Sequence, residues 1–181
     1  MNHRPYHHGD LRRTALEATA EAIKEGGGLA ALSLRDVARR AGVSHAAFKN
    51  HFGTKPGLLT ALAAEGYDLL ADAVNAAGDD LVEAGTAYVR FAVAHPAHFE
   101  VMFRPGLYHA DDPQLTAAQE RANQALTSAL STSAGETNAL AAWSIVHGFA
   151  NLWLSDALPP GLDADPGTAA RPVISLLSFI P

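Results

Sequence analysis

Residues 32–59 read LSLRDVARRAGVSHAAFKNHFGTKPGLL, and their spacing decides the fold. Ser33 opens a Ser-x-x-Asp arrangement close to a capping box, and the apolar Val37 and Ala38 follow, so a short helix is expected from there to Gly42. Gly42 suits the positive φ of a residue that ends a helix, and Ser44 can cap the next one, about His45 to His51. Two short helices joined by a tight turn containing glycine form a helix-turn-helix. Ala38, Gly42, Val43 and Phe48 let the two helices cross closely, and Leu34, Phe52, Leu58 and Leu59 complete a small core.

Working outward, Asp10 is expected to cap a first helix that runs to about Glu25 with Ala15, Leu16, Ala22, Ile23 and the Thr19 methyl on one face. It stops at Gly26, Gly27 and Gly28, where left-handed backbone costs least. Thr54 caps the helix after the motif, with Pro56 tolerated in its first turn because that N–H needs no intrahelical partner. Its pattern continues to about Ala76, a rod of roughly 33 Å at ~1.5 Å per residue, long enough to join two domains. Further helices are expected at about 81–94, 97–103, 114–131, 137–157 and 168–179, with the loops RPGLYHADDP and LPPGLDADPG between them. No segment alternates as a strand does. The fold class is all-α, with a helix-turn-helix head over 1–55 and a helical body over 56–181 for ligand binding and dimerisation. The stretches ALAAWSIVHGFANLWL and RPVISLLSFI are apolar over much of their circumference, which implies a subunit interface and a homodimer.

The 181 residues, 48% hydrophobic and 18% charged, have the balance of a soluble globular protein. No run approaches the ~20 apolar residues of a membrane span. The start, MNHRPYHHGDLRR, lacks the apolar stretch of a signal peptide. Without cysteine there is no disulfide and no thiolate, and a cytoplasmic location is expected. The formal net charge of -6 conceals an asymmetry: residues 1–55 hold nine Lys/Arg and five acids, a balance of +4, while 56–181 hold four Lys/Arg and fourteen acids, a balance of -10. A basic head on an acidic body is the footprint of a nucleic-acid-binding module.

In a helix-turn-helix the second helix enters the major groove with its N-terminal residues at the base edges. His45, Ala46 and Lys49 would face bases, and Asn50 and His51 the backbone. Lys49 can donate to guanine O6 and N7, and Ala46 can meet a thymine methyl. Lys55 at the start of the following helix joins free N–H groups and a positive dipole end, and Ser33, Ser44 and Thr54 offer hydroxyls at helix starts, all suited to phosphate. Arg12, Arg13 and the arm HRPYHH precede or open the first helix and are read either as a disordered tail or as a DNA-contacting arm.

These residues resemble the TetR family of one-component transcriptional regulators, from the first helix through LSLRDVARRAGVSHAAFKNHFGTKPGLL. That family usually carries Tyr after the apolar position of its third helix, then His-Phe, then Lys opening helix four. Here Phe48, His51, Phe52 and Lys55 are in place, but Lys49 stands at the Tyr position. A phosphate-contacting phenol has become an ammonium. WSIVHG at 143–148, preceded by AYVRFAVAHPAHFEVMF at 87–103, also resembles the Trp-His-Gly class of TetR effector domains.

Trp143 and His147 are four apart and share a helical face. The resemblance implies a small-molecule pocket in which His147 orients a mostly apolar effector against Tyr88, Phe91, Phe99, Met102, Phe103 and Trp153, with plain core packing as the competing reading. His95, His98 and Glu100 are spaced too loosely for a metal, and no cofactor is expected. No Gly-rich phosphate loop or nucleophile elbow is present, so an enzyme is not expected. The resulting expectation is a repressor that binds a pseudo-palindromic double-stranded DNA operator as a dimer and is released by a small molecule. The alternatives are a DNA-binding dimer without effector and a small helical enzyme.

Overall fold

A computed structural model describes residues 8–26, 28–129 and 136–179, and among these it is all helical. The α-helices are α1 (His8–Glu25), α2 (Leu34–Arg40), α3 (His45–Phe52), α4 (Lys55–Ala77), α5 (Leu81–Ala94), α6 (Pro96–Met102), α7 (Pro113–Ser128), α8 (Glu136–Leu154) and α9 (Pro166–Ser175). Short 3-10 turns lie at Leu29–Ala31, Pro105–Leu107 and Leu176–Phe179. The chain divides into two compact units, residues 1–65 with 97–116, and residues 66–96 with 117–181. Helix α4 runs from one into the other.

In the first unit several local signals act as expected. Ser44 Oγ accepts the Ala47 N–H at 3.1 Å, and Thr54 Oγ1 accepts the Gly57 N–H at 3.2 Å. Gly42 has φ 68°, the left-handed turn between α2 and α3. Ala15, Leu16, Ala22, Ile23 and Thr19 are buried, and the Thr19 hydroxyl donates to the Ala15 carbonyl at 2.6 Å, hiding its polarity within the helix. Phe48, Leu58 and Val37 are fully buried, with Phe52 at the core's edge and its ring 4.9 Å from that of Phe48.

Three expectations need correction here. Asp10 lies within α1 instead of ahead of it, so it does not cap the helix. Ser33 occupies the N-cap of α2 without a side-chain capping bond. Its partner in the expected box, Asp36, is taken by Arg39 and Arg40, whose guanidiniums hold the carboxyl below its ordinary range. Leu34 is half-buried, not core, because it opens α2 at the rim.

In the second unit α5 lies against both α8 and α9. The approach is close at Gly85, where an added Cβ would come within 2.9 Å of Ile174 Cγ2 and 3.1 Å of Val146 Cγ1. Two ion pairs span α5 and the α9 segment: Arg171 grips Glu83 at 2.7 and 2.8 Å, and Arg90 Nη2 meets Asp165 Oδ2 at 2.6 Å. Asp165 also caps α9 by accepting the Thr168 N–H at 2.7 Å. The Arg90 guanidinium, with the Thr168 bonds, holds the Asp165 carboxyl well below the usual carboxylate range. Helix α7 ends at Ser128 and α8 at Leu154, each short of the expected limit. Beyond α8, Asp156 takes a positive φ of 55°, which stops the helix.

Candidate nucleic-acid interface and effector cavity

Helix α3 has two faces. Phe48 and Phe52 fix it to the core, while His45, Ala46, Lys49, Asn50 and His51 are exposed. The His51 ring packs edge-on against Phe52 with centroids 4.6 Å apart, so its orientation is set by the core beneath. Ser44 caps the N-terminus of α3, and Ser33 and Thr54 are exposed just ahead of α2 and α4.

Cations in this unit sort by what they already hold. Arg13 pairs with Glu17 at 2.9 Å, Arg39 pairs with Asp36, and Arg40 bridges Asp36 at 2.9 Å and Glu25 at 2.8 Å. The Glu25 and Asp36 carboxylates raise the Arg40 affinity for its proton. Lys55 is half-buried and donates to the Leu29 carbonyl at 2.8 Å. Arg35 and Lys49, by contrast, are exposed and make no ion pair among the described residues. Arg35 was not singled out from the sequence. Its signal was present: at i-1 to Asp36 it cannot face that acid on a helix, whereas Arg39 and Arg40 at i+3 and i+4 can.

In the second unit, a cavity of about 60 Å³ lies among α5, α7, α8 and the C-terminal residues. Tyr88, Gly85, Trp143, Val146, Ile174 and Leu177 are among its walls, and no charged side chain lines it. The fully buried Tyr88 hydroxyl lies 3.0 Å from His147 Nδ1, and the Trp143 ring centroid is 5.4 Å from that of His147. Burial lowers the His147 pKa and raises that of Tyr88, so both are neutral near pH 7, and the imidazole tautomer sets which of the two donates in their hydrogen bond. Of the expected pocket residues, Tyr88 and Trp143 line the cavity, and His147 adjoins it through its bond to Tyr88. Phe91 is buried beside His95, with ring centroids 5.5 Å apart, and does not line it. Phe99, Met102 and Phe103 belong to the other unit, where Phe99 and Met102 are core residues and Phe99 and Phe103 form an edge-on ring pair at 5.2 Å. Trp153 pairs with Phe149 at 6.3 Å.

His98 is buried and its Nε2 lies 2.9 Å from Glu65 Oε2, so the ring is held by one carboxylate within the first unit. Among the described residues no helix is long and apolar enough to cross a membrane.

A core-anchored helix with polar side chains turned outward, following a short capped helix and a glycine turn, defines a helix-turn-helix DNA-binding regulator. Residues 15–62 match the family model described as bacterial regulatory proteins, tetR family, and residues 81–177 match that of the tetracyclin repressor-like C-terminal domain. The chain belongs to the TetR family, whose members are DNA-binding regulators and not enzymes. No curated protein sequence matches it. Among solved structures it is similar to a protein of unknown function from Rhodococcus sp. RHA1, at 29% identity and TM-score 0.73 over 97% of each chain. It also resembles the TetR-like regulator LfrR from Mycobacterium smegmatis in complex with proflavine, at 19% identity and TM-score 0.69 over 93% of this chain and 95% of that one. The multidrug binding protein EbrR complexed with imidazole is similar at 23% identity and TM-score 0.59 over 94% of each chain.

Proposed function

We propose that this chain is a homodimeric, ligand-responsive transcriptional repressor of the cytoplasm, with residues 1–55 as the operator-binding head and 56–181 as the regulatory and dimerising body. The observation that carries the reading is the division of α3 into a buried face, Phe48 and Phe52, and an exposed one, His45, Ala46, Lys49 and Asn50. His45, Ala46 and Lys49 read base edges in the major groove. Asn50, His51, Ser33, Ser44, Thr54, Lys55 and, in addition, Arg35 serve the phosphates on either side.

The exposed Leu140, Leu152 and Leu154 of α8, with Val173 and Leu176 at the C-terminal end, support a dimer that presents two heads to a pseudo-palindromic operator. The uncharged cavity behind Tyr88 supports a small apolar effector. LfrR in complex with proflavine and EbrR complexed with imidazole support it too, as proteins of this fold found with small organic molecules. The finer assignment to the Trp-His-Gly class rests on WSIVHG at 143–148. Effector in the body shifts α4 and changes the spacing of the two heads, with a coupling of about 1–3 kcal/mol.

A second reading, in which the body only dimerises, is favoured by cavity size: about 60 Å³ holds roughly two waters, against ~300 Å³ for a common ligand site. Gel-shift titration with the DNA upstream of the chain's own gene tests the regulator. Preference for that DNA over random DNA at physiological salt is expected, and equal affinity for both rejects it. A thermal-shift screen of small organic molecules then separates sensor from scaffold, since a native-state ligand raises apparent stability.

A further inference from the structure

Helices α4 and α7 flank a polar groove in the second unit. Its volume is about 290 Å³, close to the ~300 Å³ of a common ligand site. Asp68, Asp72 and Asn75 stand along α4 at i, i+4 and i+7, and Arg121, Gln124 and Ser128 stand along α7 at i, i+3 and i+7. These spacings put each set on one face of its helix. Ala71 and Ala125, both buried, form the floor, and their short side chains leave the volume open. No residue lines both this groove and the uncharged cavity behind Tyr88.

The groove carries two carboxylates and one guanidinium. Arg121 bonds Asp68 Oδ1 through both Nε, at 2.9 Å, and Nη2, so Asp68 Oδ2 makes no hydrogen bond among the described residues. Asp72 is exposed and forms no ion pair among them, and its neighbour one turn back, Asp68, is a like charge. The unit's three arginines are each engaged: Arg90 with Asp165, Arg121 with Asp68 and Arg171 with Glu83. The unit contains no lysine, so none of its own Lys or Arg side chains remains to neutralise Asp72. The side-chain amides of Asn75 and Gln124 make no hydrogen bond among the described residues, and their carbonyl oxygens stand in the same groove as the two carboxylates.

We infer that this groove is a binding site for a small hydrophilic amine, an aliphatic chain that carries an ammonium or guanidinium group. The charged end sits between Asp72 and Asp68 Oδ2, and its remaining N–H groups donate to the amide oxygens of Asn75 and Gln124. The aliphatic stem lies on Ala71 and Ala125. An anion is disfavoured, because the one guanidinium in the groove already holds Asp68. A bare metal ion finds too few ligands: among the described residues no three His, Cys, Asp or Glu side chains are grouped to hold one. The site goes beyond the apolar effector and the dimer proposed above and depends on neither.

The experiment uses the full chain and agmatine, which carries an ammonium at one end and a guanidinium at the other. Calorimetric titration at low salt is expected to saturate with a single agmatine per chain. Asp72→Asn keeps the shape and removes the charge. Because Asp72 is exposed and outside any ion pair among the described residues, the variant should melt as the wild type does and bind about tenfold more weakly. Arg121→Gln frees the Asp68 carboxylate and should bind about threefold more tightly. Asp79→Asn changes an exposed acid outside the groove and should leave binding unchanged. A titration that never saturates, or an affinity that Asp72→Asn and Arg121→Gln leave as it was, overturns the site, because the amine then gathers around the acidic body at large. Displacement of agmatine by equimolar magnesium chloride, but not by sodium chloride of the same ionic strength, makes the groove a metal site and overturns the inference as well.

Discussion

Lys55 Nζ donates a 2.8 Å hydrogen bond to the carbonyl oxygen of Leu29, 26 residues earlier in the chain. That bond ties the start of α4 to the 3-10 turn between α1 and α2. An ammonium has further donors to offer, so the same side chain can hold the head together and face a phosphate. The sequence motif points only to the second role.

Lys55→Met keeps the aliphatic stem while removing the charge and the bond, and separates the two roles. Stability to urea should fall by about 1 kcal/mol, the value of a charge-assisted bond discounted for partial exposure. Affinity for all DNA sequences should fall alike, with the slope of log K against log salt reduced by about one. A stability loss with an unchanged salt slope would make Lys55 a structural pin alone.

Arg35 and Lys49 are distinguishable by the same titrations. Arg35→Ala should leave stability within about 0.5 kcal/mol, as for an exposed side chain outside any ion pair, and lower the salt slope by ~0.9 without altering sequence preference. Lys49→Ala should cost about 1–3 kcal/mol of discrimination at one guanine of the operator, because a Lys at the base edge donates to O6 and N7. Unchanged preference among operator variants would place Lys49 on the backbone.

What the sequence made legible in the head was whatever acts within about four residues. The Ser44 cap, the Gly42 turn and the inward Phe48 follow from local φ, capping geometry and helical periodicity, and each stands where expected. The Ser33–Asp36 box failed for an equally local reason: two arginines at i+3 and i+4 compete for the same carboxylate. Contacts between residues far apart in the chain, such as Lys55 with Leu29 and Arg40 with Glu25, carry no pattern in one sequence. The pocket residues show the same limit. Periodicity marks Phe99 and Met102 as core, and both are buried, but it cannot say which of two cores receives them.

Gly57 sits in the first turn of α4 where an added Cβ would overlap the Phe52 carbonyl oxygen, a backbone atom that cannot swing aside. Gly57→Ala should therefore push α4 away from the end of α3. A loss of about 1–3 kcal/mol is expected, as for other overpacked sites, together with weaker operator binding, because the reading helix is displaced. Thermal melts and gel shifts measure both. A variant with wild-type melting and wild-type DNA affinity would show that the α3–α4 junction yields more easily than backbone contact implies.

His147 supplies a pH dependence whose sign is fixed by its surroundings. Burial lowers its pKa below the ordinary 6.5, and its Nδ1 shares a 3.0 Å hydrogen bond with the Tyr88 hydroxyl. Protonation would place a charge beside an uncharged cavity. A depressed folded pKa means that the unfolded chain takes up the proton first, so His147 contributes stability above about pH 6.5 that is lost as pH falls through the folded pKa. His147→Gln cannot be protonated, and its melting temperature should depend less on pH between about 7 and 5 than that of the wild type. Tyr88→Phe removes the hydroxyl that is hydrogen-bonded to the neutral ring, so at pH 7 it should lower stability by about 1 kcal/mol. Parallel melting curves for wild type and His147→Gln across that range would show that His147 is not the group that titrates.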